Sequence, residues 1–202
     1  MKVILIIGPQ GSGNHIWSKI FSLHSDVLGW KNINDIYWVG HKYEPHSSLW
    51  KDMTLWESYN FAQNTVVSVS IPFAINGITT FPDIHYWKKI MIKREIDHKI
   101  CVITRDKNIN YLQNERVRPI NNYINSLQYI NTLDIDYFLS TETLLIYKDK
   151  YLKQLSNQLN FPIDYNNINI YNILIQSFNE KYIKYIENYW LDEEVKNASG
   201  YQ

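Results

Sequence analysis

The residues best suited to chemistry lie close to the amino terminus. Gly8-Pro9-Gln10-Gly11-Ser12-Gly13-Asn14-His15 has Gly-x-x-x-x-Gly spacing and sits between an apolar run, Val3–Ile7, and a helical pattern that begins at Asn14. Glycines let the backbone curl so that successive N–H groups point inward, and the helix N-terminus adds partial positive charge. The spacing therefore predicts a cradle for a phosphate-bearing ligand, to which Ser12 can add a hydroxyl. The usual loop continues with Lys and then Ser or Thr; here Asn14 and His15 follow. Without the Lys, terminal phosphates are poorly neutralised, and without the hydroxyl the usual Mg²⁺ ligand is missing.

Three further polar groups are candidates. Arg105 follows Lys99–Thr104 (KICVIT); a guanidinium there can grip phosphate bidentately or form a surface ion pair with Asp106. His15 stands at the helix N-terminus. As a neutral imidazole it can donate a hydrogen bond. Protonated, it would supply the missing charge, although the helix dipole disfavours that form. It can equally be a His that only closes the first turn. Gly40-His41-Lys42-Tyr43-Glu44-Pro45-His46 is the third cluster. His41 and Glu44 are candidate general bases, and Lys42 could meet an anionic ligand. His41, Glu44 and His46 lack a recognised ligand spacing, so no metal is expected.

The elements that must position these groups follow from periodicity. Val3–Ile7 reads as a strand buried on both faces. Trp17, Ile20, Phe21 and His24 give a helical stripe that stops near Gly29. A short strand is expected at Ile36–Val39, a β-branched one at Thr65–Ile71, a helix around Trp87, Ile90 and Met91, and strands at Lys99–Thr104 and Asp136–Ser140. A helical stretch over 108–130 is interrupted at Pro119. A helix carrying Tyr151, Leu152, Leu155 and Leu159 should end at Pro162, and a last one should run from Ile173 to Trp190. Alternating strands and helices predict an α/β fold, three layers with a mainly parallel sheet and helices on both faces. In such a sheet ligands bind beyond the carboxyl ends of the strands, where both Gly8–His15 and Arg105 fall.

Composition narrows the function classes. The chain has 202 residues, 20 basic and 20 acidic, 45% hydrophobic, which suits one domain spanning residues 1–202 with a real core. Zero formal charge argues against nucleic acid as the main partner. Cys101, the lone cysteine, is expected to be a buried thiol. The absence of a spanning or signal-like segment points to a cytoplasmic protein with no membrane partner, and richness in Ile, Asn, Lys and Tyr to AT-rich coding, bacterial or viral. Trp30, Trp38, Trp50, Trp56 and Trp87 can line a pocket for an aromatic or sugar ring, core packing being the commoner fate.

Four segments in order, residues 9–30 (PQGSGNHIWSKIFSLHSDVLGW), Val67–Phe73 (VSVSIPF), Ile100–Ile109 (ICVITRDKNI) and Leu139–Ile163 (LSTETLLIYKDKYLKQLSNQLNFPI), together resemble the sulfotransferase family. That family moves a sulfuryl group from phosphoadenosine phosphosulfate (PAPS) to a hydroxyl or amine, without a metal. The resemblance implies a P-loop fold with PAPS as co-substrate and a small-molecule or sugar acceptor. It implies that Gln10, Gly11, Ser12, Gly13, Asn14 and His15 cradle the 5′-phosphosulfate, and that Arg105 holds the 3′-phosphate. The serine that usually assists this Arg falls at Gln113, with Asn110 and Asn114 able to make a similar bond. The family's basic loop residue falls at Gln10 or Gly11 and its acceptor-site His at Ser70, while Glu142 takes the place of a structural Glu. Two alternatives stay open: a Mg²⁺-dependent nucleotide or small-molecule kinase, and a non-catalytic nucleotide-binding or interaction module with a degenerate loop.

Overall fold

Strand β1 (Val3–Pro9) is buried along its whole length, and its alternation sorts the molecule into layers. Ile4 and Ile6 join one core cluster with Ile16, Trp17, Ile20 and Phe21, whereas Val3, Leu5 and Ile7 join another with Trp56, Trp87, Ile90 and Met91. Successive side chains of a strand point to opposite faces, so a continuous apolar run serves two cores at once. Each side chain of Leu or Ile size buried in this way contributes about 1.5–3 kcal/mol.

The computed structural model describes residues 1–30, 45–75, 78–117 and 119–177. In chain order the elements are β1, α1 (Asn14–Phe21), β2 (Val27–Leu28), α2 (Ser47–Lys51), α3 (Leu55–Ser58), β3 (Asn64–Ile71), β4 (Phe73–Ile75), β5 (Ile78–Thr80), α4 (Ile84–Lys93), β6 (His98–Thr104), α5 (Lys107–Val117), α6 (Ile120–Ile130), β7 (Tyr137–Ser140), α7 (Thr141–Leu159) and α8 (Asn169–Ser177). Five strands form a sheet in the order β2-β3-β1-β6-β7, and every pairing in it is parallel. β4 and β5 form a separate antiparallel pair. Helices α1, α7 and α8 supply the core on one face, and α2, α3, α4 and α6 supply it on the other. The expected three-layer α/β architecture is therefore present.

This strand order creates the site. β1 leads through α1 toward β2 on one side, while β6 leads toward β7 on the other. Adjacent strands whose connections part in this way leave a crevice beyond their carboxyl ends. The loop after β1 and Arg105 after β6 flank it.

Several boundaries differ from the periodicity. α1 stops at Phe21, and the Ser22 hydroxyl, 2.6 Å from the Ser18 carbonyl, back-bonds at its end. The stripe toward Gly29 thus continues in non-helical chain. α5 and α6 part around Pro119, as a residue lacking the N–H requires. α7 breaks internally at Lys148 (φ 46°, ψ −117°) and ends before Pro162, because Asn160 takes a left-handed conformation (φ 46°, ψ 53°) that closes the last turn. The expected strand at Ile36–Val39 lies outside the described residues, as does the last part of the expected C-terminal helix. Among the described residues no helix is long and apolar enough to cross a membrane.

Candidate functional site

Gly11 and Gly13 hold φ values of 82° and 110°, a left-handed region that residues bearing a Cβ rarely enter. Gly8 is required for a different reason: a Cβ there would sit 2.3 Å from Ser12 Oγ and 3.3 Å from Ile103 Cβ. The loop thus folds back over the end of β1, and three glycines are spent on one tight curl.

What the curl does with its polar atoms decides its chemistry. The carbonyl of Gly8 accepts from Asn14 Nδ2 at 3.4 Å, that of Pro9 from the Ser12 N–H at 3.0 Å, that of Gln10 from Asn114 Nδ2 at 3.0 Å and that of Gly11 from Arg105 Nη1 at 2.9 Å. Four successive carbonyls are thereby tied to donors of the protein. The first intrahelical bond of α1 runs from Trp17 N to the Gly13 carbonyl, so the preceding first-turn N–H groups have no intrahelical partner. Ser12 Oγ and Asn14 Oδ1 are buried without a hydrogen-bond partner. Buried polar atoms in that state cost stability unless a ligand or water meets them.

The cradle residues do not all face the same task. Asn14 sits where the common loop has Lys, and its amide nitrogen is directed to the Gly8 carbonyl and, at 3.0 Å, to Ser70 Oγ at the end of β3. The contact with a carbonyl fixes which end of the amide carries the N–H groups. His15 is buried and packs its ring on Trp30, 4.6 Å between centroids, with Lys19 Nζ 5.0 Å from the same indole. Positions 15 and 19 are one helical turn apart and share a face, so a single indole receives both.

Arg105 leaves β6 and grips the loop at Gly11. A guanidinium has five N–H donors, so this grip and a contact with ligand are compatible. Asp106 Oδ1 accepts from the N–H groups of Asn108 and Ile109 at 3.0 Å each, capping α5, and the Asp106 N–H donates to Glu142 Oε1 at 2.7 Å. Glu142 accordingly ties α7 to the start of α5. Gln113 lies on α5 with its side chain outside the described residues. Its neighbour Asn114 is buried and donates both to Gln10 and to the Asn110 carbonyl, 2.8 Å away. His41 and Glu44, with Lys42, lie outside the described residues.

Beside the loop, on the β3 side, is a cavity of about 260 Å³ lined by Gln10, Ser47, Trp50, Lys51, Ser68, Val69, Ser70, Phe73 and Ala74. Ser47 and Lys51 on α2 and Phe73 on β4 were not singled out by sequence. A five-residue helix and a three-residue strand are too short to show a period; the place was flagged by the tryptophan at position 50 and by Gln10 and Ser70, which the resemblance singles out. Trp56 and Trp87 are buried in the core and Trp30 lies against His15; Trp38 is outside the described residues. Among the described residues no group of three or more His, Cys, Asp or Glu could hold a metal.

No family model matches the chain, and no curated protein matches it. Among solved structures it is similar to mouse sulfotransferase SULT7A1 complexed with PAP, with 12% identity and a TM-score of 0.45, over 86% of this chain and 63% of that one. The chain thus spans less than two thirds of the length of that enzyme. Its own strand order and parallel pairings, with helices on both faces, define a mostly parallel α/β fold with a glycine-rich loop between its first strand and first helix.

Proposed function

We propose that the chain binds a phosphorylated nucleotide, PAPS or its product PAP, at the mouth of the Gly8–His15 loop, and passes the sulfuryl group to an acceptor beside it. The observation that carries this reading is the tying of four successive loop carbonyls, Gly8 to Gly11, to donors within the protein. With the acceptors held away, an anion at the mouth meets N–H groups and the positive end of α1. The unpartnered Ser12 hydroxyl gives a phosphate or sulfate oxygen one more donor.

In such a transfer the S–O bond to the nucleotide phosphate breaks and a bond to the acceptor oxygen or nitrogen forms, while the acceptor's proton leaves to a base. Backbone N–H groups of Gln10 to His15, apart from that of Ser12, which bonds the Pro9 carbonyl, hold the departing phosphate, and Arg105 holds the 3′-phosphate. His15, whose ring packs on Trp30, is the group assigned to proton movement, with His41 and Glu44 as further candidates. A kinase reading is weaker, because the Asn14 amide is committed to Gly8 and Ser70 and His15 has no hydroxyl for Mg²⁺.

The test is thermal unfolding in EDTA with PAP or with adenosine. PAP at one hundred times its dissociation constant should stabilise the fold by about 2.7 kcal/mol, and adenosine should leave the midpoint unchanged. Equal shifts from both ligands, or none from either, would overturn the reading.

A further inference from the structure

The cavity beside the loop has a one-sided chemistry. Trp50 is buried, and its indole Nε1 has no hydrogen-bond partner. An indole nitrogen can only donate, and so can the ammonium of Lys51, the next residue on the same wall. Ser47, Ser68 and Ser70 add hydroxyls, Gln10 an amide, and no carboxylate lines the space among the described residues. The Ser70 hydroxyl already accepts from Asn14 Nδ2 at 3.0 Å, which leaves its own hydrogen to donate elsewhere. Phe73 and Val69 supply apolar wall. About 260 Å³ is less than drug-sized ligands usually occupy, and suits roughly one ring with its substituents.

We infer that this cavity binds a compact, ring-bearing anion, with the ring against Trp50 and Phe73 and a carboxylate-like group at Lys51 and the Trp50 N–H. The unpartnered Trp50 N–H and one ammonium, with no acid among the described lining residues, favour an anionic ligand over a neutral ring of the same size. As a statement about the acceptor, the inference rests on the nucleotide reading above; as a binding site it stands on the cavity alone.

The probes are 4-hydroxybenzoate and its neutral analogue 4-hydroxybenzyl alcohol, titrated calorimetrically into the full chain with and without PAP. The wild type should bind the benzoate about ten-fold more tightly than the alcohol, a difference of about 1.4 kcal/mol. Lys51→Gln, at an exposed position, should bring the two affinities together. Trp50→Phe, with folding checked by circular dichroism, should keep ring binding but weaken the benzoate about three-fold. Equal wild-type affinities, a preference that survives Lys51→Gln, or binding of neither probe would overturn the inference. PAP binding without probe binding would remove this inference alone. Probe binding without PAP binding would remove only the nucleotide reading and the acceptor role.

Discussion

Arg105 has two jobs in this account, and they can be separated. Its bond to the Gly11 carbonyl shapes the loop for any ligand, whereas a grip on a 3′-phosphate serves PAP alone. Arg105→Ala should therefore weaken both PAP and a nucleotide lacking the 3′-phosphate. PAP should lose about 1.5–3 kcal/mol more, the usual worth of a charge-assisted contact. Equal losses in calorimetry would leave Arg105 only the structural job. Gly8→Ala probes the curl itself. The added methyl would meet Ser12 Oγ at 2.3 Å and the Ile103 side chain, so overpacking should cost about 1–3 kcal/mol in chemical denaturation; an unchanged midpoint would mean the loop is slack. At this scale the sequence announced the glycines and Arg105 through type and spacing. It did not announce the pairing of Asn14 with Ser70, which joins residues 56 positions apart and depends on strand register.

Elements were legible where their period was long. β3 and β6 begin one residue before the expected runs at Thr65 and Lys99, and α4 covers Trp87, Ile90 and Met91. β2, α2 and α3, of two, five and four residues, carry no signal of their own, because tertiary packing and not propensity holds them. α4 shows how local chemistry sets a boundary: Asp83 caps it by accepting from the Tyr86 N–H at 2.8 Å. Asp83→Ala should cost about 0.5–2 kcal/mol in urea unfolding, and an unchanged stability would show that Tyr129, whose hydroxyl accepts from Ile84 N at 3.0 Å, suffices to start the helix.

For the molecule as a whole, alkaline pH reads out the two cores. Burial pushes the Cys101 thiol up to about 12, and burial likewise raises Tyr123, Tyr129 and Tyr151. These groups are neutral in the fold at pH values where the unfolded chain already ionises, from about 8.5 for Cys and about 10 for Tyr. Their stabilising contribution is complete below those values and is lost as pH rises toward the folded-state values. Denaturation midpoints should fall steadily from about pH 8.5 upward, and a flat profile would contradict the burial of these groups. The overall architecture was readable because the apolar run of β1 and the alternation of strands with helices constrain each other. The cavity was not readable, since it is assembled from α2, β3, β4 and the loop, which meet only once the sheet order exists. Calorimetric titration shows whether the mouth takes a nucleotide phosphate without the lysine and hydroxyl of a kinase loop. PAP in EDTA and ATP with Mg²⁺ are titrated separately into the purified chain. PAP should bind in the micromolar range without metal, and ATP with Mg²⁺ should give little heat. A preference for ATP with Mg²⁺, or silence from both, would contradict the nucleotide reading.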